Sequence, residues 1–133
     1  MGLSVAAGIE IESGAPLTAF AAHPVYDFGG EIPLTKRGAG FQTGDGLRTR
    51  TPWTKPVNAE AAYRLSLHGG TLALVADAFN LFDTQTILTY DSYADLQFGV
   101  PNPDFGTPGV SGVVGGQQFA TPRQVRIGVR YEF

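Results

Sequence analysis

The last ten residues read Gln124-Val125-Arg126-Ile127-Gly128-Val129-Arg130-Tyr131-Glu132-Phe133. Val125, Ile127, Val129, Tyr131 and Phe133 take alternate positions, and Gln124, Arg126, Gly128, Arg130 and Glu132 take those between. Successive side chains of an extended chain point to opposite faces, so this is a strand with one apolar and one charged face. A tilted membrane-spanning strand has about this length, roughly 9–11 residues.

Working back from this segment, the same alternation recurs three times. In 57–68, Val57, Ala59, Ala61, Tyr63, Leu65 and Leu67 alternate with Asn58, Glu60, Ala62, Arg64, Ser66 and His68. Gly69-Gly70 follows, a pair able to take the positive φ angles of a tight hairpin. The chain then returns through 71–82, where Leu72, Leu74, Ala76 and Ala78 alternate with Ala73, Val75, Asp77 and Phe79, and an extension through Gln85–Tyr90 is expected. Near the start, Leu3, Val5, Ala7, Ile9 and Ile11 alternate with Ser4, Ala6, Gly8, Glu10 and Glu12, giving a strand over 3–12.

Two irregular stretches separate these strands. Residues 13–56 hold five of the nine prolines, and residues 92–122 hold the other four among Gly, Asn and Asp. Both far exceed the connections of a compact soluble domain. Short turns alternating with long loops are, however, the rule in outer-membrane barrels. The order strand, long loop, strand, tight turn, strand, long loop, strand fits that scheme with both loops on one side.

Composition agrees. Charged residues are 16% of the chain, below the roughly 25% of an ordinary soluble domain, while Gly numbers 18 and Pro 9. The net charge of -3 argues against nucleic-acid binding. The chain has no cysteine, which removes disulfides, zinc thiolates and thiol nucleophiles. It has no apolar run long enough for a transmembrane helix. The first basic residue is Lys36, so no export signal is read at the start, and either a piece of a longer protein or a true start further upstream is expected.

Several sites together resemble one family. Asn80-Leu81-Phe82-Asp83 is similar to the "NLFD" element of the penultimate strand of TonB-dependent outer-membrane receptors. Pro122-Arg123 ahead of the last strand is similar to their "PR…F" ending, and Ser13-Gly14-Ala15-Pro16 to their "SG.P" strand exit. The stretch from Arg48 to Tyr63 is similar to the approach to their third-last strand. Arg126, Gly128, Tyr131 and Phe133 match the spacing of the signal that barrel-assembly machinery reads. The resemblance implies an all-β fold: an antiparallel transmembrane β-barrel fragment of about four meander strands with two long extracellular loops. The family's plug domain and TonB-contacting segment are absent, as are most of its roughly 22 strands.

Taken this way, the complete receptor would import a scarce nutrient such as a siderophore, a cobalamin-like compound or a carbohydrate. The chain would supply barrel wall, loops and assembly signal in the bacterial outer membrane, and would not be a complete transporter alone. No catalysis and no cofactor are expected. Its partners would be outer-membrane lipid, the assembly machinery, and the remaining barrel and plug, with the TonB complex acting only through the missing plug. Different readings are a soluble antiparallel β-domain that binds a ligand or partner, and a small outer-membrane protein that closes its barrel by oligomerising.

Individual residues carry sharper and plainer readings side by side. Arg126, Arg130 and Glu132 are expected to face the lumen and pair with charges on neighbouring strands, since an Arg facing lipid costs about 2–4 kcal/mol near the midplane. Tyr63, Tyr131 and Phe133 read as interfacial aromatics. Tyr90, Asp91, Tyr93, Asp95 and Phe98, with Asp104 and Phe105, are either extracellular contacts to a ligand or a calcium ion, or a packed loop with solvated acids. Arg48, Arg50 and Trp53 share that ambiguity. His23 and His68 lack a second ligand at metal spacing. Ser66, His68 and Asp77 lack a nucleophile elbow, and the Gly38–Gly46 run lacks the lysine of a phosphate cradle.

Overall fold

The computed structural model describes residues 2–26, 30, 32–109 and 118–133. Positions 1, 27–29, 31 and 110–117, which include parts of both expected loops, lie outside the described residues. Among the described residues the regular structure is entirely β. In chain order the strands are β1 (Gly2–Ile9), β2 (Phe20–Ala21), β3 (Ile32–Pro33), β4 (Phe41–Thr43), β5 (Gly46–Arg48), β6 (Val57–Leu67), β7 (Gly70–Phe79), β8 (Asp95–Gln97), β9 (Val100–Pro101) and β10 (Gln124–Glu132).

The four long strands form one antiparallel sheet in the order β1-β6-β7-β10. Neighbours in the sheet follow one another along the chain once the short strands are set aside, so the sheet is a meander. It is open: β1 and β10 are edge strands, and every residue of both is exposed. Ile9 stands opposite Val57 and Phe79 opposite Gln124, so both long connections leave the sheet at the same end. The short β6–β7 hairpin closes the other end.

The chain divides into two compact units. The first holds Met1–Glu12, Thr54–Gln85 and Thr121–Phe133, which contain the sheet. The second holds Ser13–Trp53 and Thr86–Ala120, so the two long connections fold together as one body. That body contains the two-stranded pairs β2–β3, β4–β5 and β8–β9 and a small core of Leu17, Ala19, Phe41 and Tyr90, with Ile87 and Phe105 packed on it.

Three boundaries depart from the alternation pattern, each for a local reason. The strand expected over 3–12 ends its ladder at Ile9. Glu10 then donates to the Pro56 carbonyl at 3.2 Å, but Pro56 has no N–H to return the bond. Pairing resumes only as the isolated bridge of Glu12 with Thr54. The strand expected over 71–82 with continuation to Tyr90 stops at Phe79. Asn80 has φ 48° and Asp83 φ 53°, left-handed values that turn the chain out of the sheet. Ile87 and Tyr90 then bridge Phe119 and Pro108 inside the second unit.

The hairpin is displaced by one residue from the Gly69-Gly70 reading. Leu67 pairs with Gly70, so His68 and Gly69 form the turn. The glycines serve separate needs. Gly69 supplies φ 93°. Gly70 lies in the ladder, where a Cβ would run into the Glu132 carbonyl and the Tyr131 ring of β10. Gly69→Ala should therefore cost about 1–2 kcal/mol through left-handed strain alone. Gly70→Ala should instead release the end of β10, which amide exchange would register as lost protection at Tyr131 and Glu132, with that at Ala61 and Ala76 retained.

Candidate functional site

The sheet's two faces differ in chemistry because each register joins like to like. On one face the rows read Ala7–Ala59–Ala78–Val125, Val5–Ala61–Ala76–Ile127 and Leu3–Tyr63–Leu74–Val129, with Leu65–Leu72–Tyr131 beyond them. No charged side chain enters any of these rows. The face is also uncovered, with Val5 at 70%, Ile127 at 78% and Val129 at 68% exposure. Soluble monomers rarely leave so continuous an apolar surface bare.

The opposite face carries the charges. Its rows include Ala6–Glu60–Asp77–Arg126 and Gly2–Arg64–Ala73–Arg130. Arg126 donates from Nε and Nη2 to Asp77 Oδ2, both at 2.9 Å, and its guanidinium lies 5.6 Å from the centre of the Phe79 ring. This is the cross-strand pairing expected for Arg126. Arg130 behaves differently: it pairs at 2.9 Å with Glu132 on its own strand instead of reaching a neighbour. A cleft of about 480 Å³ runs along this face, lined among others by Ala6, Gly8, Glu60, Asp77, Phe79 and Arg126.

Of the residues matching the assembly signal, Arg126 is held by Asp77, and nothing lies within 4 Å of where a Gly128 side chain would start. Tyr131 lies in the hairpin-end row with Leu72, its ring centre 6.4 Å from that of Phe133. Tyr63 sits one row further in, between Leu3 and Leu74.

The Asn80–Asp83 tetrad and the segment before β10 bind one another. Asn80, only 7% exposed, donates from Nδ2 to the Thr121 carbonyl at 2.8 Å and to the Thr84 carbonyl at 3.2 Å. Its Oδ1 accepts from the Thr84 N–H at 3.0 Å, and its own N–H donates to Asn58 Oδ1 at 3.1 Å. Asp83 Oδ1 accepts the Arg123 N–H at 2.8 Å. Each such bond contributes about 1 kcal/mol net, and an unmade buried one costs more.

In the second unit the candidate ligand contacts are largely taken up by the fold. Tyr90 is buried in the core, its hydroxyl 3.4 Å from Asp45 Oδ2, which also holds Arg48 at 3.1 Å. Burial pushes the Tyr90 phenol above its ordinary value of 10.0; Arg48 opposes this and Asp45 adds to it. Asp91 is 2% exposed, and its carboxylate accepts from Asn102 Nδ2 at 2.9 Å and from the Tyr93 N–H at 3.0 Å. Tyr93 meets Phe20 edge to face, and Asp95 accepts the Ala22 N–H at 3.4 Å. Phe98, 57% exposed, follows β8. The acids at 91 and 95 thus cap backbone, where the packed-loop reading had them solvated.

Arg50 Nε donates to the Gly14 carbonyl at 2.9 Å, while Trp53 is exposed. His23 Nδ1 accepts the Val25 N–H at 3.0 Å, and His68 occupies the hairpin turn. Ser66 pairs with Thr71 and Asp77 with Glu60, which sets Ser66 and Asp77 about 20 Å apart along the strands at 3.3 Å per residue. Among the described residues no three His, Cys, Asp or Glu side chains gather to hold a metal ion. Asn102, which joins Asp91 to the Tyr93 carbonyl at 2.7 Å, is not among the residues that the sequence pattern singles out. Its signal is the Asn102-Pro103-Asp104 turn, where Asn102 Oδ1 accepts the Asp104 N–H at 3.0 Å.

No family model, curated protein or solved structure matches this chain.

Two outcomes follow from this geometry. Asp91→Ala strands the Asn102 amide and the Tyr93 N–H and should destabilise the second unit by about 1–3 kcal/mol, read as a lower thermal midpoint by near-ultraviolet dichroism. Because folding raises the Tyr90 pKa, the unfolded chain ionises first, and stability falls as pH rises through about 10. Tyr90→Phe should flatten that alkaline loss, measured as the midpoint difference between neutral pH and pH about 10.5.

Proposed function

We propose that this chain is part of the wall of an outer-membrane β-barrel, of the TonB-dependent receptor type, with its two long connections forming the receptor's extracellular surface. The observation that carries the reading is the sheet's uncovered apolar face, to which all four strands contribute and no charge enters, backed by a face that bears the arginines and carboxylates. Lipid would cover the first and the lumen would lie against the second. Alternation of this kind, apolar out and polar in, is the pattern of membrane barrels.

Two further features support it. Both long connections leave the same end of the sheet and a two-residue turn closes the other, as barrels do. The edges β1 and β10 carry unpaired backbone groups, each costing several kcal/mol in lipid. A wall of this kind therefore needs further strands on both sides, and the smallest membrane barrels have about 8. On this reading the chain serves nutrient uptake by forming part of the conduit and its outer loops, and performs no covalent chemistry.

The absence of native cysteine makes the test direct. Single cysteines at Val5, Ile127 and Val129, and at Ser4, Glu60 and Gly128, would carry nitroxide labels in the lipid-reconstituted protein. The first set should be accessible to oxygen in the bilayer and the second to a water-soluble nickel chelate. Recovery of the chain from detergent-free buffer as a folded monomer, with both sets equally open to the chelate, would reject the barrel in favour of a soluble binding module.

A further inference from the structure

We infer that Asn80 and Asp83 are positioning residues that set the register in which β10 joins the sheet. The need for such a device comes from the strand itself. Alternation excludes a slip of one residue, which would turn every side chain of β10 to the wrong face. It does not exclude a slip of two. Sliding β10 by two would bring Ile127 opposite Leu74 or Ala78 instead of Ala76, and in either direction Ile127 and Val129 would still meet apolar residues on the same face. Faces fix parity; something else must fix position.

The cross-strand ion pair is a poor candidate for that task. The Arg126 side chain is 72% exposed although Asp77 is only 16% exposed, and a pair open to water on one side is screened and contributes little. A slip that set Arg126 opposite Phe79 would also keep it beside the ring it already covers.

The tetrad meets the requirement. The β7–β10 ladder opens with Phe79 opposite Gln124, and the Asp83 carboxylate holds the N–H of Arg123, the residue immediately before that pair. Asn80, immediately after it on the other strand, holds the carbonyl of Thr121. Neither bond survives a displacement of two residues, because the partner groups move by about 7 Å. Asn80 is itself immobilised, through Thr84 on both sides of its amide and through Asn58 of β6 at its backbone N–H. One residue, through its backbone N–H and its side chain, thus refers β6, β7 and the approach to β10 to a common point. The left-handed φ angles at positions 80 and 83 aim the two side chains across the gap, and the Asp83 N–H to Asn80 carbonyl bond at 2.8 Å closes the turn between them. The inference does not rest on the membrane reading, because it concerns pairing within the sheet in any surroundings.

Disulfide trapping in the otherwise cysteine-free full chain tests it, in detergent or lipid. The pair Ala76→Cys/Ile127→Cys reports the observed register, and Leu74→Cys/Ile127→Cys and Ala78→Cys/Ile127→Cys report slips of two in either direction. Asn80→Gly with Asp83→Gly removes the side-chain bonds while keeping the left-handed backbone comfortable, and Asp83→Asn keeps the acceptor. Native and Asp83→Asn chains should cross-link through 76/127. In the double glycine variant a slipped cross-link should rise about thirtyfold relative to the native one, the factor that losing two hydrogen bonds permits. An unchanged 76/127 pattern in that variant overturns the inference. Loss of all three cross-links overturns it too, since the tetrad would then be required for docking of β10 as such. So does slippage in Asp83→Asn equal to that of the glycine variant.

Discussion

Antiparallel pairing ties the sum of two residue numbers to a constant, and that constant decides which faces meet. In the β1–β6 ladder Val5 meets Ala61, in β6–β7 Ala61 meets Ala76, and in β7–β10 Ala76 meets Ile127. Each strand is amphipathic alone, but only these parities bring four stripes onto one surface. A one-residue error at any of the three interfaces would place an apolar stripe beside Glu60 or Asp77. The bare apolar face, the charged opposite face and the cleft along it are all consequences of that arithmetic.

The devices at the strand ends keep the arithmetic in force. His68 and Gly69 make the only two-residue link in the four-stranded sheet, and Gly70 lets the end of β10 approach β7 closely. At the other end the chain must leave β7 and, some forty residues later, enter β10 in step. Asn80 and Asp83 stand where it leaves and reach across to where it returns. Both accept left-handed φ angles that most residues avoid, and Asn and Asp tolerate them because their short side chains bond locally.

Legibility in the sequence followed the range of the interactions. The four long strands are readable, because period-2 alternation is local and persists over many residues, and the tight turn implies the pairing of the two central ones, while the meander of all four is what the family resemblance implies. Ladder limits were harder, since they depend on what lies opposite: Pro56 across from Glu10 decides where β1 stops. The continuation to Tyr90 failed because Gln85–Tyr90 resembles a strand locally, while Asn80 has already redirected the chain. The second unit reads as loop, because its short strands carry no alternation to betray them. Asp91 looked like an exposed acid in an aromatic setting. Its real partners, Tyr93 and Asn102, follow from turn geometry that only the folded segment displays. Closure of the sheet with other strands remains part of the proposal, because the sheet itself is open.

The two units are stabilised by different means, and this separates what their mutations do. Of the buried apolar residues among those described, only Ala62 lies in the sheet; Leu17, Ala19, Ala22, Phe41 and Tyr90 lie in the second unit. The sheet thus gains little from an internal core, and its apolar surface is a demand on its surroundings. Replacing Val5 or Ile127 by a polar residue leaves every backbone bond intact and alters chiefly what the face can rest against. The second unit buries Thr43, Thr51, Asp91 and Asn102 beside its few apolar residues. There the polar side chains satisfy backbone groups that an irregular chain cannot pair by itself, as Thr51 Oγ1 does for the Ala15 N–H at 2.9 Å. Loss of one of those side chains leaves a buried donor or acceptor unmet and damages the local fold directly. Surface chemistry thus governs where the sheet can reside, and buried polar chemistry governs whether the long connections have a shape at all.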